Sequence, residues 1–257
     1  MYANPIRAAV NRGEVQFGTW VNVVRNPAIL PLLKAAGLDF ARIDMEHSPP
    51  SMETIADMAL LARAMEFPIV VRPPVANREW ITRLLDVGVW NLHCPQVDTA
   101  EHAAEIVAAS RYAPLGSRGM AGDTPATEFE LEGTQAERNA YANEQVFITV
   151  MLESERAFRD LDAIAAMPGI DALTLGPTDL AQDLGVFGTP AMGPALDERR
   201  MLIVEAAKKH GKTTAMLCST AEEARKWKDA GALLLAYSSD ANVLRDGYRR
   251  ALASIKG

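Results

Sequence analysis

Short apolar or β-branched runs alternate along the chain with segments whose apolar residues recur at helical spacing. Each run is short enough for a buried strand, and the segment after it has the length of a surface helix. The predicted strands are residues 15–23, 40–46, 68–72, 90–96, 147–152, 171–175, 213–218 and 232–237. The predicted helices are residues 27–36, 51–65, 77–86, 99–110, 154–166, 177–184, 194–210, 220–230 and 241–255.

Continuous apolar strands that alternate with helices are typical of a parallel sheet. Eight such units in 257 residues predict a (β/α)8 TIM barrel of the α/β class. An open doubly wound sheet is the alternative, but residues 19–23 lack the glycine cluster that usually follows its first strand. No linker divides the chain, so residues 1–257 are predicted to form one domain. An excursion at about 111–145 is interpreted as an inserted active-site loop.

Charge and composition restrict the partners. The net charge of −7 and the lack of a basic run disfavour a nucleic-acid partner. No apolar run reaches the roughly 18 residues that would span a membrane, and the first residues do not resemble a signal peptide. Cys94 and Cys218 fall in predicted strands and are expected to be reduced core thiols. We therefore expect a cytoplasmic protein that binds neither nucleic acid nor membrane.

Charged residues stand at the ends of the predicted strands, where barrel active sites lie. They are Asp44, Glu46 and His47 after strand two, Arg72 after strand three, Glu153 after strand five, and Asp179, in Gly176-Pro177-Thr178-Asp179, after strand six. Several of these residues could simply begin or cap the next helix. Capping does not explain Arg72, between Val71 and Pro73, or two carboxylates on neighbouring strands at one mouth.

Glu153 and Asp179 are oxygen donors without a second histidine or a thiolate beside them, which favours Mg²⁺ or Mn²⁺. A 2-keto acid could complete the metal shell, and Arg72 with the metal would stabilise an enolate. A nearby imidazole could move the proton. Schiff-base chemistry is disfavoured because the lysines fall in predicted helices or loops, and Lys212 precedes strand seven at the opposite mouth.

Together these motifs resemble the HpcH/HpaI aldolase family of class II, metal-dependent pyruvate aldolases. The matching segments are Ile43-Asp44-Met45-Glu46-His47, Val71-Arg72-Pro73, Gly116-Ser117-Arg118-Gly119, Glu153, Pro168-Gly169-Ile170-Asp171 and Gly176-Pro177-Thr178-Asp179-Leu180. The resemblance implies a lyase that cleaves or forms a 4-hydroxy-2-keto acid from pyruvate and an aldehyde. It also implies a homo-hexamer with C-terminal helices exchanged between subunits, and bound Mg²⁺ or Mn²⁺, with Co²⁺ as a further option.

The resemblance also assigns roles by position. Glu153 and Asp179 become the metal ligands, and Arg72 holds the pyruvate carbonyl oxygen and stabilises the enolate. His47 becomes the acid–base group, paired with Asp86, and Asp44 stands beside the site. The backbone of Gly176, Pro177 and Thr178 would meet the pyruvate carboxylate, together with Asp179 at that strand end. Glu46 has no family role and, from strand alternation, is expected to be a supporting residue.

Departures from the family pattern leave the second substrate open. Met151 stands where the family often has glutamine, Gln96 replaces an apolar residue, and residues 120–130 are acidic. A decarboxylase or lyase acting on another 2-keto acid would use the same core. A CoA-ester lyase is a further alternative, which the acidic residues 123–132 disfavour. A non-catalytic barrel that binds a metabolite is the third.

Overall fold

In the computed structural model, which describes residues 2–129 and 132–256, eight parallel strands close into one barrel in sequence order. The (β/α)8 prediction is confirmed. The strands are β1 Gln16–Val21, β2 Phe40–Asp44, β3 Ile69–Arg72, β4 Asn91–Cys94, β5 Phe147–Leu152, β6 Ala172–Leu175, β7 Thr213–Cys218 and β8 Leu234–Ser239. Most of the observed strands are shorter than the predicted ones, because apolar residues continue beyond the strand ends into the turns.

The helices surround the barrel, and among the described residues none is long and apolar enough to cross a membrane. They are α1 Pro5–Asn11, α2 Ile29–Ala35, α3 Met52–Ala64, α4 Arg78–Asp86, α5 Ala100–Ser110, a 3-10 turn Pro125–Thr127, α6 Gln135–Gln145, α7 Glu155–Arg159, α8 Leu161–Ala166, α9 Pro177–Asp183, α10 Met192–Lys209, α11 Ala221–Asp229 and α12 Asp240–Lys256. The helix predicted over 154–166 is divided at Asp160 into α7 and α8. The Asp160 carboxylate accepts a hydrogen bond from the backbone amide of Ala100.

The N-terminal mouth of the barrel is closed by α1, which the sequence pattern did not reveal. Ile6 is fully buried against inward side chains of the strand beginnings, including Phe40, Phe147 and Leu234. The Asn4 side chain caps α1 and donates to the Asn91 side chain at 2.7 Å. Because α1 plugs this end, a ligand would enter at the mouth formed by the carboxyl ends of the strands.

The excursion after α5 starts at the closed face of the barrel. It begins at Arg111, whose guanidinium donates to the carbonyls of Val146 and Gly169, just before β5 and shortly before β6. Arg118 bonds Asp86 at the carboxyl end of α4. Since an excursion that follows a helix starts at the closed face, its first residues lie there. Further along, Ser117 lines a groove together with Asn77 and Gln96, which follow β3 and β4 at the open mouth.

The last helix, α12, is anchored only at its beginning. The Asp240 carboxylate accepts hydrogen bonds from the amides of Asn22, Val23 and Val24, and this residue is the only buried one in the helix. Beyond it, one face of α12 exposes large apolar side chains to solvent: Leu244, Tyr248, Leu252 and Ile255.

Candidate active site

Arg72 is fixed at the open mouth by two carboxylates. Strands β2 and β3 pair in parallel with Asp44 opposite Arg72, so both side chains reach the same end of the barrel. The Arg72 Nε donates to Asp44 at 2.8 Å, and its Nη1 lies 2.9 Å from the Glu46 carboxylate. The guanidinium is therefore oriented before any substrate arrives, which is the condition for effective electrostatic stabilisation.

Asp44 connects Arg72 to the turn that carries His47. Its carboxylate accepts from the amides of Glu46 and His47 and from the Ser48 hydroxyl. Burial alone would raise the pKa of Asp44. The hydrogen bond and charge of Arg72, with the two amides, outweigh burial and hold this pKa below its usual value. Asp44 is thus an ionised anchor for the arginine.

Glu46 contacts several residues of the site, although strand alternation predicts only a supporting place for it. Strand β2 ends at Asp44, so the alternation of side chains stops before Glu46 and the turn directs it inward. Its carboxylate contacts Arg72, lies 3.6 Å from the His47 Nε2, and accepts from the Gln96 side chain at 3.2 Å. Burial, with the charges of Asp44 and Asp179, raises its pKa although Arg72 and His47 oppose this.

Glu153 follows β5 directly and lies against the backbone of Gly176. A Cβ built on Gly176 would stand 2.2 Å from the Glu153 Oε2, so the absence of a side chain there makes room for the carboxylate. The Gln96 amide donates to Glu153 at 2.6 Å. Burial, together with the charges of Glu46 and Asp179, raises the pKa of Glu153 to about 7, despite the amide of Gln96 and the charge of Arg72.

The carboxylates of Glu153 and Asp179 face one cavity and fit a hard divalent cation. Among residues 2–129 and 132–256, no group of three or more histidine, cysteine, aspartate or glutamate side chains is placed to hold a metal. A cation here would therefore have two protein carboxylates and take its other ligands from water or substrate, as Mg²⁺ commonly does. Burial first, and then the charges of Glu46 and Asp179, raise the pKa of Glu153, and a bound cation would favour its ionised form.

The open mouth contains a cavity of about 690 Å³ that brings most predicted site residues together. His47, Arg72, Glu153 and residues 176–179 all line it. The His47 side chain is 62% exposed at the rim. Trp20, Ser238, Asn242 and Arg245 are among the other residues that line it.

Asp86 lies apart from this cavity. It ends α4, which runs from the open mouth towards the closed face, and its carboxylate bonds Arg118 at 2.7 Å. The expected pair with His47 is not formed within the chain, because the length of α4 separates the two residues.

Gln96 is a site residue whose contacts the sequence could not reveal. It has φ of +54°, a conformation that costs a residue with a side chain about 1 kcal/mol or more. This backbone conformation directs the Gln96 backbone amide to Glu153 and the Gln96 side chain to Glu46.

Lys212 lies at the closed face of the barrel, as its position before strand seven predicts. Its ammonium group donates to the carbonyls of Met167 and Ile170.

Comparison with known proteins agrees with this geometry. The family model described as HpcH/HpaI aldolase/citrate lyase matches residues 16–247. The 5-keto-4-deoxy-D-glucarate aldolase of Klebsiella pneumoniae is 34% identical over 256 residues, which cover 100% of this chain and 98% of that protein. An HpcH/HpaI aldolase from Desulfitobacterium hafniense DCB-2 has a TM-score of 0.93 at 30% identity, over 100% of this chain and 97% of that one. The citrate synthase SbnG has a TM-score of 0.86 at 26% identity, over 97% and 96%.

The fold and the matches define a lyase built on a (β/α)8 barrel. The chain belongs to the HpcH/HpaI aldolase/citrate lyase family. The predictions of this family, of an enzyme of the lyase class and of a class II aldolase are confirmed.

Proposed function

We propose that this aldolase cleaves, and in reverse forms, a 4-hydroxy-2-keto acid, with pyruvate and an aldehyde as the other reactants. The observation that carries the proposal is the placement of Arg72. It is held by Asp44 and Glu46 and faces the cavity that Glu153 and Asp179 also line. The fixed guanidinium of Arg72 can stabilise the negative charge of an enolate, and the two carboxylates beside it can hold a metal ion.

Glu153 and Asp179 would hold the cation, Mg²⁺ or Mn²⁺ with Co²⁺ as a further option. When bound, it supplies Lewis-acid polarisation of the 2-keto acid and stabilises negative charge on its oxygens. The two carboxylates support this assignment by their oxygen donors and by their place on one cavity.

Arg72 would bind the keto oxygen of the substrate and keep its hydrogen bond as that oxygen becomes an enolate. The substrate carboxylate would lie at the first turn of α9, beside Gly176, Pro177 and Thr178. Amides in the first turn of a helix lack intrahelical acceptors and favour an anion. These contacts would orient the bond between C3 and C4 above Glu153 and Asp179.

His47 would accept the proton of the C4 hydroxyl. The C3–C4 bond then breaks, the aldehyde leaves, and the bonding electrons form the enolate of pyruvate beside Arg72. Return of the proton to C3 gives pyruvate. The place of His47 on the cavity lining supports this role, and its Nε2 lies 3.6 Å from the Glu46 carboxylate. Asp44 would keep the turn and Arg72 in place.

The second substrate would be polar at its far end. The Klebsiella relative is named for a sugar diacid. In this chain the rim of the cavity carries Ser238 and Asn242, which would bind hydroxyls. Arg245 is also on the rim and would meet a distal carboxylate, although its guanidinium already donates to Asp246. We propose this class of substrate from the rim residues.

Pyruvate release from a panel of 4-hydroxy-2-keto acids, with and without a distal carboxylate, tests the proposal. Treatment with EDTA should abolish release, and added Mg²⁺ or Mn²⁺ should restore it. The Arg72→Lys variant should lose about 100-fold in kcat, since it cannot keep both carboxylate contacts and the substrate contact. Release that survives complete metal removal would contradict the proposed mechanism.

We also propose that the protein is a homo-hexamer in which α12 is exchanged between subunits. The unpartnered apolar face of α12 supports this, since a helix of this kind is stable only when that face is covered.

A further inference from the structure

The interior of the barrel holds an arginine and a histidine directly beneath the active site. Arg42 of β2 and His93 of β4 are 1% and 0% exposed. Side chains alternate along a strand, so Arg42 lies one inward step below Asp44. Interior layers of such barrels are usually filled by apolar branched side chains.

Arg42 is separated from Arg72 by one aromatic side chain. The guanidinium carbons of Arg42 and Arg72 lie 5.2 Å and 4.7 Å from the centre of the Trp20 ring. Both distances are within the range of a cation–π contact. The His93 ring meets the same indole edge-on at 5.4 Å. Trp20, which lines the cavity, is thus positioned by the residues beneath it.

Among residues 2–129 and 132–256, no carboxylate pairs with either buried side chain. In the part of the chain that the structure describes, the Arg42 Nε and Nη2 and both His93 ring nitrogens lack hydrogen-bond partners. Burial, and then the charge of Arg72, lowers the pKa of Arg42 to about 9, so it is still charged at neutral pH. Burial and the two arginines hold the pKa of His93 well below its usual value, so it is neutral. Packing does not explain an unpaired buried cation, which destabilises a fold.

The carboxylates at the open mouth give it a net negative charge that Arg42 can offset. Arg72 stands among four carboxylates, those of Asp44, Glu46, Glu153 and Asp179. With these groups ionised, a divalent cation would still leave one net negative charge, which disfavours an anionic substrate. One further positive charge, on Arg42 beneath the site, would bring this net charge to zero. It acts through the low-dielectric interior of the barrel, where salt screens charges weakly.

We propose that Arg42 is a positioning residue that holds Trp20 and offsets the carboxylates of the mouth from beneath, so that an anionic 2-keto acid can bind beside Arg72. This inference rests on the proposed function, because it assigns a role towards the same substrate and metal. His93 packs against the same Trp20 ring and, because it is neutral, adds no second positive charge.

The test uses oxalate, which has two adjacent oxygens like the enolate, and Mn²⁺ as separate calorimetric probes. In Arg42→Met, oxalate affinity at saturating Mn²⁺ should fall about tenfold, the size expected for losing one charge at such a distance. Affinity for Mn²⁺ without oxalate should stay equal or rise, because a positive charge has been removed. Arg111→Met is the matched control, since Arg111 is a buried arginine at the closed face, and it should change neither affinity.

The opposite movement of the two affinities separates an electrostatic role from a structural one. If both affinities fall together, or if oxalate affinity is unchanged, the inference is wrong. Arg42→Met should melt no lower than wild type, because replacing an unpaired buried charge by an apolar side chain is often stabilising. Should it not fold, Arg42→Gln gives the same comparison. A wild-type protein that binds no Mn²⁺ and releases no pyruvate would instead contradict the proposed function.

Discussion

Gly176 determines where the Glu153 carboxylate can lie. Its φ of −89° is open to any residue, so the requirement for glycine is steric. In Gly176→Ala the new Cβ would take the space of the Glu153 side chain, whose Cβ and Oε2 are 2.7 Å and 2.2 Å from that position. We expect Mn²⁺ affinity to fall by about tenfold or more, as for other changes that displace a ligand, measured by calorimetry.

Gly193 provides the control for this substitution. It lies in the first turn of α10, and a Cβ there would meet nothing within 4 Å. Gly193→Ala should leave Mn²⁺ affinity unchanged and raise the melting temperature slightly, because alanine favours a helix. Equal metal affinity in Gly176→Ala and wild type would show that Glu153 does not bind the metal from its present position.

The residues that could be predicted from the sequence are those whose position along a strand decides their location. Arg72 ends β3, Glu153 and Asp179 follow β5 and β6, and parallel strands end at one mouth. Glu46 and Gln96 could not be placed in this way. They lie in turns beyond β2 and β4, where side-chain direction depends on local backbone angles such as the φ of +54° at Gln96. Arg42 falls inside a predicted strand, and only the closed barrel shows that its charge is unpaired.

At the scale of elements, the carboxyl end of α4 contacts the excursion that follows α5. Its last residue, Asp86, contacts Arg118, whose side chain is 1% exposed and stacks on Tyr112 at 4.6 Å. Asp86→Ala would leave this guanidinium buried without its carboxylate. We expect the variant to lose about 2–3 kcal/mol of unfolding free energy, somewhat less than for a fully buried pair because Asp86 is partly exposed. Denaturant unfolding would measure this loss.

The same variant separates a structural role of Asp86 from the family role beside His47. A structural role predicts a lower stability with nearly unchanged kcat at a temperature where the variant is folded. Asp86→Asn, which can still accept one hydrogen bond, should recover part of the lost stability. A large fall in kcat at unchanged stability would show instead that Asp86 serves the chemistry, which would require the site of another subunit, since the two residues are apart within one chain.

At the scale of the whole molecule, periodicity was sufficient to predict the barrel, because each strand and helix repeats one amphipathic pattern. It did not predict the plug. Helix α1 has only seven residues, and its burial comes from fitting Ile6 among strand beginnings that are distant in sequence. The excursion follows α5 and not β4, so its first residues lie at the closed face, and its length alone could not predict this placement.

The exposed face of α12 provides the test of assembly. Leu244 and Leu252 lie on this face, and each is about half exposed in the single chain. If α12 packs on a neighbouring subunit, a charge at both positions must be buried without a partner, which a helix interface does not tolerate. Light scattering after gel filtration should give wild type a mass near six times 27.9 kDa, and the variant with Leu244→Asp and Leu252→Asp a smaller species. Arg250→Ala, on the opposite side of the helix, should keep the wild-type mass. A double variant that also keeps this mass would show that α12 is not at the interface.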